Sequence, residues 1–175
     1  MGKVQYQCAM SVDGFIAGPG GDMSWMSEYM GGGAQESELA PKVGALLIGS
    51  RTFRGDDPNK GTDQEGAYSG QYTGPSIVLT HDIPAEPVEN VTFVDDLHGA
   101  LAAAKAAAGD KDVSVLGADV ARQLIEAGLL DEILVAITPV LLGDGVRLFD
   151  HPGGTKVRLE VIGTDGTTIT LRVLK

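Results

Sequence analysis

Val113-Ser114-Val115-Leu116-Gly117-Ala118-Asp119-Val120-Ala121-Arg122-Gln123-Leu124 is the stretch on which the fold turns. An apolar strand ends at Leu116, two small residues make a tight turn, and a helix starts at once. A helix begun so abruptly at a strand's C-terminal end presents unpaired N–H groups and a partial positive charge. Diphosphate suits such a terminus, because Gly117 and Ala118 let the backbone come close to its oxygens. The spacing alone is equally compatible with a glycine that merely permits the turn. Asp119 weighs against a nearby anion unless its carboxylate points away.

Outward from this junction, strand and helix patterns alternate. On the N-terminal side, residues 3–10 read as a first strand, residues 35–43 as a short helix and Ala45-Leu46-Leu47-Ile48 as a strand buried on both faces. Residues 51–75 form a long polar loop, which in a compact domain is usually functional. Residues 76–80 and 91–94 are strands. Residues 97–108 are an alanine-rich helix, with Asp95 or Asp96 as N-cap and Gly109 at its end. Toward the C-terminus, Gly128 stops the helix begun at Ala118, residues 133–138 form a strand closed by Pro139, and two strand runs flank the turn Asp165-Gly166. This order predicts an α/β fold: a mixed sheet ending in an antiparallel hairpin, with helices on both faces. With no repeat and no low-complexity linker, one domain over residues 1–175 is expected.

Composition narrows the function. The 175 residues carry a net charge of −11, a field that repels nucleic acid. A phosphorylated ligand must then be held by local N–H groups and one or two arginines. No apolar run reaches the roughly 18–20 residues that span a bilayer, so no membrane partner is expected. A single cysteine, Cys8, and the lack of a signal-peptide pattern point to the cytoplasm.

Two further strand ends resemble the first junction. Gly49, Ser50 and Thr52 offer N–H and hydroxyl donors, and Arg51 can pair with a phosphate. Thr80 and His81 follow the strand at residues 76–80. Each alone reads more readily as a capped turn; three together favour a nucleotide cleft. His81, His98 and His151 are far apart without ligand spacing, so no metal is expected. Asp57-Pro58-Asn59-Lys60-Gly61 lacks the glycine position and glutamate of a calcium loop. Neither a G-x-S-x-G nucleophile elbow nor a G-x-G-x-x-G fingerprint is present.

Four blocks go further. They are Ala9-Met10-Ser11-Val12-Asp13-Gly14-Phe15-Ile16-Ala17 with Ser24-Trp25; Gly49-Ser50-Arg51-Thr52-Phe53 with Asp56-Asp57-Pro58; Ile77-Val78-Leu79-Thr80; and Leu116-Gly117-Ala118 running through Gly128-Leu129-Leu130-Asp131-Glu132 to Pro139-Val140-Leu141-Leu142-Gly143-Asp144-Gly145 and Leu148-Phe149. In order and spacing they resemble the dihydrofolate reductase-like family, and within it a stand-alone form of the riboflavin-biosynthesis reductase domain. The zinc deaminase half of the bifunctional enzyme has no counterpart here. The resemblance implies a dihydrofolate reductase-like, mostly parallel sheet, NADPH as cofactor, a small-molecule substrate related to a riboflavin precursor or a pterin, and a homodimer.

Residue by residue, it implies NADPH contacts from Ala9, Trp25, Thr52 and Asp56. Gly117, Ala118, Asp119 and Val120 would hold the diphosphate, and Gly49, Ser50 and Arg51 would lie near the adenosine phosphate. Thr80 or His81 would flank the adenosine half. Asp13, the catalytic candidate, and Gly14 would shape the loop over nicotinamide and substrate. On the same alignment the riboflavin enzyme's substrate-binding arginine falls at Asp63 and its glutamate at Val115. The acidic pterin anchor of dihydrofolate reductases falls at Met30, with Glu28 nearby. A true dihydrofolate reductase and a noncatalytic NADPH-binding protein are the alternative readings.

Overall fold

A computed structural model describes residues 2–29, 34–55 and 57–175, with the backbone alone for Ala34 and Gln35. Asp56 and Met30 fall outside the described residues, and so do the expectations placed on them. The elements in chain order are β1 (Val4–Ser11), β2 (Phe15–Ala17), α1 (Ala34–Leu39), β3 (Val43–Gly49), α2 (Ser50–Phe53), β4 (Ser76–Leu79), β5 (Val91–Val94), α3 (Leu97–Ala108), β6 (Asp112–Leu116), α4 (Ala118–Glu126), β7 (Glu132–Thr138), β8 (Val146–Arg147), β9 (Arg158–Asp165) and β10 (Thr168–Leu174). The predicted helix at residues 35–43 stops at Leu39. A 3-10 turn, Ala40–Lys42, follows, and Val43 already belongs to β3. The predicted loop from Arg51 opens instead with the short helix α2.

Eight strands form one sheet in the order β5-β4-β3-β6-β1-β7-β10-β9. The first six run parallel, and β10 and β9 are antiparallel. β2 and β8 pair separately as a small antiparallel sheet that the sequence reading did not foresee. Arg147 lies over the Phe15 ring there, 4.8 Å from its centroid. Among the described residues no helix is long and apolar enough to cross a membrane.

Strand alternation divides the core. Tyr6, Ala45, Leu47, Val113, Val115 and Ile133 face α3 and α4, whose Ala100, Ala104, Ala121 and Leu124 close over them. Alanines on α3 let the helix settle close to the sheet. Leu46, Ile48 and Val78 face the other side, where α2 and the long loop cover them with Phe53, Tyr68 and Tyr72. Phe53 meets Phe93 edge-on at 5.6 Å.

One anchor of that loop is costly. Tyr68 and Ser69 sit at φ 55° and 53°, in the left-handed region, at roughly 1–3 kcal/mol each. Contacts offset the strain. The Tyr68 hydroxyl donates to Gln7 Oε1 and lies 2.7 Å from Ser114 Oγ, and its ring meets Tyr72 edge-on.

Gly44, where β3 shifts register, has no room for a side chain: a Cβ there would lie 2.4 Å from the Ala108 carbonyl oxygen at the end of α3. Gly44→Ala must push α3 off the sheet. We expect it to cost about 1–3 kcal/mol, read from the urea midpoint, and an unchanged midpoint would contradict this packing.

Candidate functional site

Parallel neighbours that end in step bring their C-terminal turns together. Ile48 of β3 pairs with Leu116 of β6, so Gly49 and Gly117 leave the sheet side by side. Leu79 of β4 pairs with Gly49, which puts Thr80 and His81 next along the same rim. Tyr6 pairs with Val115, which carries Cys8 and Ala9 of β1 past the end of β6, beside the Gly117 turn. Ala9, Gly49 to Thr52, Thr80, His81 and Gly117 to Val120 thus share one rim. Open parallel sheets bind ligands at this edge.

Close packing shapes the two glycine turns. Gly117 has φ 104°, a conformation L side chains rarely adopt, and a Cβ on it would lie 2.4 Å from Thr52 Oγ1. At Gly49 a Cβ would stand 3.1 Å from Val120 Cγ2. The first helical bond of α4 runs from Ala121 N–H to the Gly117 carbonyl at 3.2 Å. Gly117, the N-cap residue, has no side chain to cap the N–H groups ahead of it.

The charges at the rim are unequal in their commitments. Arg51 is exposed and, among the described residues, makes no ion pair. Arg54 ties the end of α2 to Asp82 at 3.0 Å, after β4. Asp119 is hydrogen-bonded to Arg122 and Gln123. Burial alone would raise its pKa, but those bonds and the charges of Arg122 and Arg51 hold it below the usual carboxylate value. Thr80 is buried and its hydroxyl is used in the turn, accepting from Asp82 N–H at 3.1 Å; His81 is exposed.

A second cluster gathers at the ends of β1 and β7. Asp13 Oδ1 accepts from Ser11 Oγ at 2.6 Å and from Leu142 N–H at 3.1 Å, and its Oδ2 accepts from Gly143 N–H at 2.7 Å. The Ser11 bond first, then the two N–H groups, lower the Asp13 pKa to about 2. An acid so strong clamps two loops together and holds no proton at neutral pH. Trp25 stands on the 3-10 turn Ser24–Met26, its Nε1 buried and, among the described residues, without a partner. Burial pushes the Cys8 thiol up to about 12, which removes it as a nucleophile. Among the described residues no three His, Cys, Asp or Glu gather to hold a metal.

Two substrate positions look different in three dimensions. Val115 is fully buried beneath α3 and α4, so no side chain there reaches the rim; Leu116 is the neighbour turned to the opposite face. Asp63 is exposed on the long loop. Sequence reading missed a polar chain on that face: Tyr68 to Gln7, Gln7 Nε2 to Gln5 Oε1 at 2.7 Å, and Gln5 Nε2 to Glu132 at 2.9 Å. Its only trace in the sequence is two glutamines spaced for one strand face. A hollow of about 360 Å³ beside Ala40, Gly44, Tyr72 and Ala108 lies at the opposite end of the sheet.

The RibD C-terminal domain family matches residues 2–171. The uncharacterized protein YwjB of Bacillus subtilis is 26% identical over 178 residues, 99% of this chain and 98% of its own length. A putative riboflavin biosynthesis protein from Shewanella sp. PV-4 has a similar structure, with TM-score 0.75, 22% identity and 99% of each chain covered. So does dihydrofolate reductase from Enterococcus faecalis, solved in complex with NADP(H), at TM-score 0.59 and 18% identity, covering 99% of this chain and 97% of that one.

The Asp13 clamp has a pH signature. Its folded pKa near 2 lies below the ordinary 3.8, so its contribution is complete above the ordinary value and fades as pH falls toward the folded one. The gap in urea midpoint between the wild type and Asp13→Asn should therefore be constant from about pH 5 to 8 and shrink on acidification toward about pH 2. A gap that widened in acid would refute the clamp.

Proposed function

Because the chain belongs to the RibD C-terminal domain family, we propose that it is an NADPH-dependent reductase of a small riboflavin-precursor-like or pterin-like substrate. The observation that carries this reading is the pair of glycine-led turns at Gly49 and Gly117, packed together beside an uncommitted Arg51. A phosphorylated dinucleotide suits that rim. Gly117 brings no side chain of its own to the start of α4, the helix has no side-chain cap from its N-cap residue, and among the described residues the Trp25 indole nitrogen lacks a partner.

NADPH, when bound, supplies the hydride, and the protein's part is to hold and orient the two reactants. Gly117, Ala118, Asp119 and Val120 give the diphosphate backbone donors at the positive end of α4. Gly49, Ser50 and Arg51 face the adenosine 2′-phosphate, while exposed His81, with the Thr80 backbone, borders the adenosine. Ala9, Thr52, Trp25 and Asp56 complete the cofactor contacts. Asp13, kept ionised, positions the loop that carries Gly14 against the loop at Leu142 and Gly143 rather than donating a proton. The substrate is held without the arginine and glutamate of the riboflavin enzyme, whose positions here are Asp63 and Val115.

We further assign the enzyme to the cytoplasm as a homodimer. The edge strand β9 presents Leu159, Val161 and Ile162 to solvent, and Leu174 on β10 and Leu141 add to the exposed apolar surface. Closed two-fold pairing would cover such an edge. Light scattering at micromolar concentration should return twice the 18.2 kDa chain mass; a monomer would remove this assignment.

Cofactor titration tests the core of the reading. NADPH should bind more tightly than NADH, and Arg51→Ala should cost NADPH about 1.5–3 kcal/mol, the loss of a charged hydrogen bond, while NADH binding stays nearly constant. Equal weakening of both by calorimetry would show that Arg51 does not read the 2′-phosphate. Failure of NADPH to bind would remove the reductase.

A further inference from the structure

Asp119 is an anomaly at a rim assigned to phosphates. It stands in the first turn of α4, where a carboxylate would normally face the helix's positive end and compete with a bound anion. Both of its oxygens are instead claimed from one turn further along. Arg122 Nη2 donates to Oδ1 at 2.8 Å, and Gln123 Nε2 donates to Oδ2 at 2.9 Å. The guanidinium that does this is itself held, because Arg122 Nη1 donates to Glu126 Oε1 at 2.7 Å. That oxygen lies 3.0 Å from His151 Nδ1, and the His151 ring meets Phe149 edge-on at 6.3 Å. Arg122 is therefore fixed between two carboxylates on one helix face.

Arg51 stands across the junction. It acts on Asp119 through space, yet the two form no ion pair. Exposed ion pairs are individually weak, so geometry decides which guanidinium Asp119 takes. Arg122 is three residues away on the same helix and already braced; Arg51 would have to reach over from α2. An Arg51–Asp119 pair would harm the rim twice, by removing its free cation and by leaving a carboxylate beside the phosphates.

We propose that Arg122 is a positioning residue for cofactor selection: it holds Asp119 off Arg51, so that Arg51 stays available for the 2′-phosphate, an inference that rests on the assignment of Arg51 above. Arg122 itself touches no cofactor. Its side chain works through Asp119, with Glu126 and His151 as its brace.

Two measurements decide it. The first needs no ligand: the Asp119 carboxylate is titrated by carbon-13 NMR. Arg51→Ala alone should barely move its midpoint, and Arg122→Gln alone should raise it modestly, because Arg51 then takes over as partner. The double substitution should raise it by more than the sum of the two. Strict additivity would overturn the inference. The second is the NADPH-to-NADH affinity ratio. Arg122→Gln should lower it by a factor of about two to five, as an exposed ion pair allows, Arg122→Lys should retain most of it, and Asp119→Asn added to Arg122→Gln should restore it. A merely structural Arg122 would weaken both cofactors together and would not be rescued; either result overturns the inference. If the wild type shows no preference for NADPH, the reading of Arg51 fails, and the carboxylate titration still decides whether Arg122 keeps Asp119 from it.

Discussion

The close approach of two strand-to-helix turns governs this molecule. β3 and β6 run parallel and in step, so Gly49 and Gly117 emerge together, and the space between them is filled by Thr52 and Val120. A side chain on Gly117 would occupy the place of the Thr52 hydroxyl. That constraint leaves the start of α4 bare and sets Arg51 and the first turn of α4 around one point. The paired turns tolerate little change because each is the other's packing partner.

Around that point the protein divides labour by charge. The overall field is strongly negative, with a net charge of −11, yet the rim has an uncommitted arginine and a carboxylate already neutralised by its own helix. A second carboxylate, Asp13, is spent on joining the loops after β1 and β7. Local hydrogen bonds thus fix both carboxylates, still ionised, and only Asp119 has a cation, Arg122, beside it. Long-range repulsion matters less than these contacts, because charges beyond about 8–10 Å are screened at physiological salt.

Much of the frame was legible from periodicity and punctuation. Residues 91–94, 97–108 and 112–116 carry their boundaries in the sequence: an aspartate that caps Gly99 N–H at 2.7 Å, a glycine at the helix end, and β-branched runs between. The Gly117 turn was legible for the same local reason, since a small residue between an apolar strand and an amphipathic helix has few other uses. The β2–β8 pairing was not, because Phe15 meets Arg147 across more than a hundred residues and neither segment is long enough to show a pattern. Tyr68 was hidden as well. Its role depends on a strained backbone and on Gln7 and Ser114, which only folding brings near.

By itself, then, the sequence determined the α/β order of elements, the small-residue strand ends and the family resemblance, because these depend on neighbours within a turn or two of chain. Tertiary structure alone decided that Asp13 joins two loops, that Val115 faces the core while Leu116 faces away, and that Arg51, among the described residues, makes no ion pair. Those outcomes depend on distances between segments far apart in sequence, and such distances exist only once the sheet has assembled.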